Sequence, residues 1–236
     1  MKKSLSRKQV VIIASVLVVF LLGAYAFWIK EGNYFFDPYN GLVTSIDVQM
    51  DEATRALVQQ RVATAEASLA AQEESGTEID TALYVTIAEN EKMLGDLVSS
   101  RLMYETYLRT NDSSYLVWNS YAKLLELMKD FPAAEDAFKK SLSIVAIEGS
   151  YQDYAEFLRT HYPDRIADEK AILDEAFVSF HQTPWLMIAL GDWFFKTGEC
   201  DQGKAHYDVA VSLSPDNAAS IERDQAEKLE VCKQPR

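Results

Sequence analysis

Large and small residues recur along this sequence at nearly fixed distances. Tyr104, Phe138, Leu173 and Tyr207 follow one another at 34, 35 and 34 residues. Ala88, Ala122, Ala155 and Gly191 follow at 34, 33 and 36. A period between about 20 and 50 residues marks a stack of similar units rather than one compact core. Gly and Pro are scarce, at 9 and 6, which favours long helices over many turns. A small residue lets two paired helices approach closely, and a large one fills the space between neighbouring pairs. One pair cannot bury its apolar stripe alone, so pairs must stack.

The clearest unit, 184–217, contains LGDWFFKTGECDQGKAHYDVAVSLSPDN. With Met187, Gly191, Gly198, Gly203, Tyr207, Ala210 and Pro215 it resembles the tetratricopeptide repeat, a helix–turn–helix unit of about 34 residues. The unit 115–147 matches through Trp118, Ala122, Ala134, Phe138 and Ser141, with Lys129 in place of the turn glycine. The unit 81–114 matches through Tyr84, Ala88, Gly95, Ser100 and Tyr104. The unit 148–183 is irregular: Tyr151, Ala155 and Leu158 fit its first helix, but Leu173 and Ala176 fit the second only if the turn HYPDR is longer. The resemblance implies an all-α superhelix of four units.

Both ends of such a stack need covering. Residues 51–74 read as a strong helix with Leu57, Val62, Ala65 and Leu69 on one side, either an N-terminal cap or a helix for a partner. Residues 218–233 read as a last, mostly charged helix, with Asn217 as its N-cap and Ile221, Leu229 and Val231 as its apolar residues. In the implied layout Cys200 opens the second helix of the fourth unit and Cys232 ends the last helix. The two helices run about 20 Å up and about 22 Å back, which brings the sulfurs together. A 200–232 disulfide is the expectation; two inert thiols are the alternative.

Val10–Ile29 is a run of 20 residues without a charge, long enough to span a bilayer core of about 30 Å. The basic leader 1–9 precedes it, so the N-terminus is expected in the cytoplasm, with 30–50 as a spacer and the repeats outside. Ala24-Tyr25-Ala26 also fits a signal-peptide cleavage site, which would release the repeats into the same compartment. Five basic residues and no acid lie in 1–30; beyond them 18 basic residues face 36 acidic ones, a net −18. Such a surface repels nucleic acid and favours basic partners.

Motifs for phosphate loops, serine nucleophiles, zinc proteases and CxxC redox pairs are missing, so no enzyme, cofactor or metal is expected. His161, His181 and His206 read as surface or packing residues. In the family that this sequence resembles, the first helix of each unit lines a binding groove. That implies Val85, Glu89 and Lys92 in the first unit, Asn119, Lys123 and Leu127 in the second, and Gln152, Glu156 and Arg159 in the third. The fourth adds Trp185, Ile188, Asp192 and Phe195. The implied partner is a protein segment with basic residues and apolar anchors. The function implied is a membrane-anchored scaffold in envelope protein assembly or secretion, with a structural subunit of a larger complex as the second reading.

Overall fold

The computed structural model describes residues 39–234. The apolar stretch 10–29 and its leader lie outside the described residues. Among the described residues, no helix is long and apolar enough to cross a membrane.

Among the described residues, ten α-helices follow in order. They are α1 Glu52–Ser75, α2 Ala82–Leu94, α3 Leu97–Leu108, α4 Tyr115–Leu127, α5 Phe131–Ile144, α6 Glu148–His161, α7 Ile166–Phe180, α8 Pro184–Thr197, α9 Cys200–Leu213 and α10 Ala218–Cys232. Contacts run almost entirely between consecutive helices: α2–α3, α4–α5, α6–α7 and α8–α9 form hairpins, and each hairpin packs on the next. That nearest-neighbour pattern is the signature of a repeat stack.

The packing shows why the spacing exists. Ala88, Ala122 and Ala155 are fully or almost fully buried in the first helices of their pairs. At Gly191 a Cβ would lie 2.4 Å from the Tyr207 ring, so only glycine admits that ring between α8 and α9. Tyr104, Phe138, Leu173 and Tyr207 are themselves buried to 1% exposure or less. Each unit therefore pairs a stripped first-helix site with a filled second-helix site.

The third unit keeps this core while lengthening its turn. The α6–α7 turn spans 162–165, against 95–96 and 198–199 in the first and fourth units. The extra residues carry Arg165, which donates to both oxygens of Glu135 on α5, at 2.7 and 2.8 Å. The guanidinium also lies 4.8 Å above the Tyr162 ring. The irregular turn thus reaches back and fastens the third unit to the second.

The caps differ from expectation in detail. Asp51 N-caps α1 by accepting from the Thr54 amide at 2.9 Å. The buried seam of α1 is Val58, Val62, Ala65 and Leu69; Leu57 is 49% exposed. A period of three to four from Val62 reaches Val58, whereas Leu57 falls one residue off the seam. At the other end, the Asn217 side chain does not cap α10. It donates to Ser214 Oγ at 3.0 Å, inside a short 3-10 turn over Pro215–Asn217. Ile221 is buried, while Val231 is 68% exposed.

Part of the expected spacer is tied down. The Val43 amide donates to the Met128 carbonyl at 2.9 Å, and the Ile46 amide to the Gly95 carbonyl at 3.0 Å. The Leu97 amide returns a bond to the Thr44 carbonyl at 3.1 Å. Arg55 on α1 donates to the Val48 carbonyl at 2.8 Å. Residues 43–48 therefore form a strap across the turns of the first and second units.

Candidate functional site

The first-helix residues implied as a groove fall into three groups. Some are engaged with each other. Glu89 pairs with Lys92 at 2.6 Å and accepts from the Tyr104 hydroxyl. Burial works against its charge, but these two partners hold its carboxyl below the usual range. Asn119 donates to Asp153 at 2.6 Å, and Lys123 pairs with the same carboxylate at 2.6 Å. These bonds cross from the second unit to the third, so the face is a ladder of charges linking neighbours. Others are open: Leu127 and Gln152 are exposed and Val85 is half-buried, while exposed Glu156 pairs with Arg159 at 3.3 Å. Trp185 and Ile188 are half-buried and pack against the C-terminal core.

Phe195 departs from the expectation. It is 5% exposed and packs 5.6 Å from the Tyr207 ring. A Cβ at Gly203 would come within 2.6 Å of its ring. Near the turn the two helices of the fourth unit converge, and the missing side chain of Gly203 opens the space that Phe195 fills. The ring belongs to the core and reaches the groove only as a floor.

The structure brings Arg159, Asp192 and Phe195 together around one cavity of about 840 Å³ between α6, α7, α8 and α10. Glu169 on α7 is 1% exposed at its base. Its carboxylate accepts from Arg159 at 2.8 Å and from Lys196 at 3.4 Å. Two cations from α6 and α8 thus face one buried acid from α7. On the other wall Lys228 of α10 lies 2.5 Å from Asp192 and 3.0 Å from Asp224. The Tyr207 hydroxyl is 2.6 Å from both carboxylates. A phenol has one proton, so it donates to one of them while Lys228 bridges both. Burial, then these two carboxylates, push the Tyr207 hydroxyl well above its ordinary value.

Glu169, Lys196, Asp224, Glu227, Lys228 and Val231 were not implied as site residues. Five lie outside the expected first-helix positions because α10 reads as a solvating cap and Glu169 sits on a second helix. One signal was present. A further step of 34 residues from Met187 and Gly191 reaches Ile221 and Gln225, both buried. By its packing, α10 takes the place of the first helix of a fifth unit, and its Asp224, Glu227, Lys228 and Val231 line the cavity.

Cys200 and Cys232 form a disulfide, with Cα atoms 5.9 Å apart across 32 residues of sequence. It fastens the end of α10 to the start of α9, next to the cavity, which Cys232 helps to line. Among the described residues no group of three or more His, Cys, Asp or Glu is placed to hold a metal ion. His161 stacks on Phe131 at 4.2 Å and bonds Glu126 at 2.7 Å, a packing role between the second and third units.

No protein-family model and no curated protein matches the sequence. Solved structures do match by shape. BtubC (BKLC) from P. vanneervenii superposes with a TM-score of 0.55 at 12% identity, covering 75% of this chain and 88% of that one. MamA superposes with a TM-score of 0.51 at 16% identity, over 64% of this chain and 92% of MamA. YrrB, described as a TPR protein with an unusual peptide-binding site, gives 0.51 at 16% identity, over 71% and 89%. The fold is that of tetratricopeptide-repeat proteins. At these identities the likeness concerns the fold alone.

Proposed function

We propose that this chain is a membrane-anchored scaffold whose repeats bind a segment of another protein along the first-helix face. The observation that carries this reading is the face itself. Exposed Leu127 and Gln152 and half-buried Trp185 and Ile188 run along it towards a cavity, on a surface with a large excess of acid. A basic segment with apolar anchors suits that face. The peptide-binding site described for YrrB shows that a fold of this kind can carry one. The apolar run 10–29 supports attachment to a membrane, with the repeats on the extracytoplasmic side and a role in envelope protein assembly or secretion.

The test is a crosslinking pulldown with the full-length chain and with Leu127→Asp and Gln152→Arg, both exposed positions. Loss of bound polypeptides in the variants is expected; unchanged capture removes the groove from the account. Protease added to cells with the outer envelope opened and the cytoplasmic membrane still sealed should trim the chain to a short N-terminal fragment. Complete protection would overturn the extracytoplasmic placement.

A second reading is a structural subunit that uses other surfaces. Phe177 and Val178 on α7 favour it: they are 39% and 77% exposed on a second helix, away from the groove. A single stoichiometric partner lost in Val178→Asp would support that reading over a set of varied clients.

A further inference from the structure

We propose that the cavity bounded by α10 receives a lysine or arginine side chain of the bound segment, with its stem on Val231 and Phe195 and its charged head on Glu227. This inference rests on the groove reading above and specifies its C-terminal end.

The charges in the cavity settle the sign of the occupant. Arg159, Lys196 and Lys228 are each already held by a carboxylate: the first two by Glu169, the third by Asp192 and Asp224. A fourth carboxylate remains. Glu227 lines the same cavity, is exposed, and makes no hydrogen bond or ion pair among the described residues. An incoming carboxylate would have to displace an existing ion pair and then face this surplus acid. An incoming cation meets Glu227 without breaking anything.

The apolar part of the lining selects the shape. Val231 is 68% exposed and stands on the cavity side of α10, one turn after Glu227. An exposed valine beside an unpaired glutamate matches an amphipathic chain that lays methylenes on one and its head on the other. Phe195 supplies the floor behind it. The volume, about 840 Å³, falls within the usual ligand-pocket range of ~300–1,000 Å³ and leaves room for the residues flanking that side chain.

The experiment is fluorescence anisotropy with the full-length chain and a labelled, capped peptide of alternating leucine and lysine. The comparison peptide has every lysine acetylated, which keeps the stem and removes the charge. The lysine peptide should bind about three- to five-fold more tightly, as a largely exposed ion pair allows. Glu227→Lys should erase that preference, and Val231→Ser should weaken both peptides alike. Both positions are exposed, so circular dichroism should show unchanged folding. A preference that survives Glu227→Lys overturns the proposal, as does absence of lysine-peptide binding to the wild-type chain. If Leu127→Asp abolishes binding of both peptides while Glu227→Lys changes nothing, the groove stands and this subsite falls.

Discussion

The two ends of the array are closed by different means. At the N-terminal end α1 lays four apolar residues, Val58, Val62, Ala65 and Leu69, on the first unit, and the strap 43–48 adds backbone hydrogen bonds across two turns. At the C-terminal end α10 buries only Ile221 and Gln225. Leu229 packs partly buried against the C-terminal core, and the rest of the hold is polar or covalent: Gln225 donates to the Lys204 carbonyl at 3.0 Å, Lys228 bridges two carboxylates, and Cys232 is bonded to Cys200. A cap that also forms the wall of a cavity cannot be a plain apolar lid. The difference suggests that the C-terminal end exchanges hydrophobic closure for a polar surface, with the disulfide supplying the missing hold.

The largest blow to the C-terminal half should come from Glu169→Ala. It leaves Arg159 and Lys196 without their shared buried partner, and breaking a buried pair typically costs about 3–5 kcal/mol. Thermal unfolding should show a clear fall in Tm, by the ~2–4 °C per kcal/mol usual at this size. A variant within one degree of wild type would mean that the triad does not hold the third and fourth units together.

Next in size is the disulfide. A loop of 32 residues corresponds to about 3–4 kcal/mol in the chain-entropy account. Changing both Cys200 and Cys232 to Ser should raise amide exchange in α10 and the start of α9 and leave α1 unchanged. Equal loosening of both ends would refute the contrast drawn above, because it would make the array one cooperative block.

The sequence was most readable where one residue type is forced by contact. Ala88, Ala122, Ala155 and Gly191 are small because a ring or a helix lies against them, so their spacing revealed the stack. The cysteines were readable because the layout that the resemblance implies sets their helices side by side and antiparallel, and the helix lengths then bring both to one edge. Phe195 was not, because whether an aromatic near a turn points into the groove or the core depends on Gly203 across the hairpin. The strap was not readable either: it is held through its backbone, which leaves no side-chain pattern. The cavity was hidden because most of its lining residues are charged, and charged residues on a last helix look like simple solvation.

The joint between the halves should respond to acid. Arg165, by hydrogen bonding, holds the Glu135 carboxyl down at about 2, with burial opposing and Lys139 assisting. A carboxyl depressed in the folded state stabilises above its ordinary value near 4.5 and loses that contribution as pH falls towards about 2. Wild type should therefore exceed Glu135→Gln in Tm at neutral pH, and the gap should close across that window. A constant gap would show that Arg165 does not depend on the charge of Glu135.

At the N-terminal end the matching test is Gly95→Ala. Gly95 has a φ of +91°, and a Cβ there would lie 2.1 Å from the Ile46 carbonyl oxygen. The left-handed backbone alone costs a non-glycine residue about 1–2 kcal/mol, and the strap must also move. Amide exchange at Val43 and Ile46 should rise while α10 stays as it was. Protection that persists at Ile46 would mean the strap is held by other contacts than the turn.

The smallest effect is a gain. Lys129 occupies the same place in the second unit as Gly95 in the first, and it adopts a φ of +63°. Its neighbours Met128 and Asp130 serve the strap and the Arg101 ion pair, so the turn is fixed from both sides. Lysine is held there against its own preference, whereas glycine accepts that conformation without strain. Part of the gain is returned, because glycine also loses more freedom on folding. Lys129→Gly should then stabilise by about 0.5–1 kcal/mol, seen as a small rise in Tm. A fall would show that the Lys129 side chain supports the turn, and that the second unit tolerates the strain for a contact rather than for lack of a glycine.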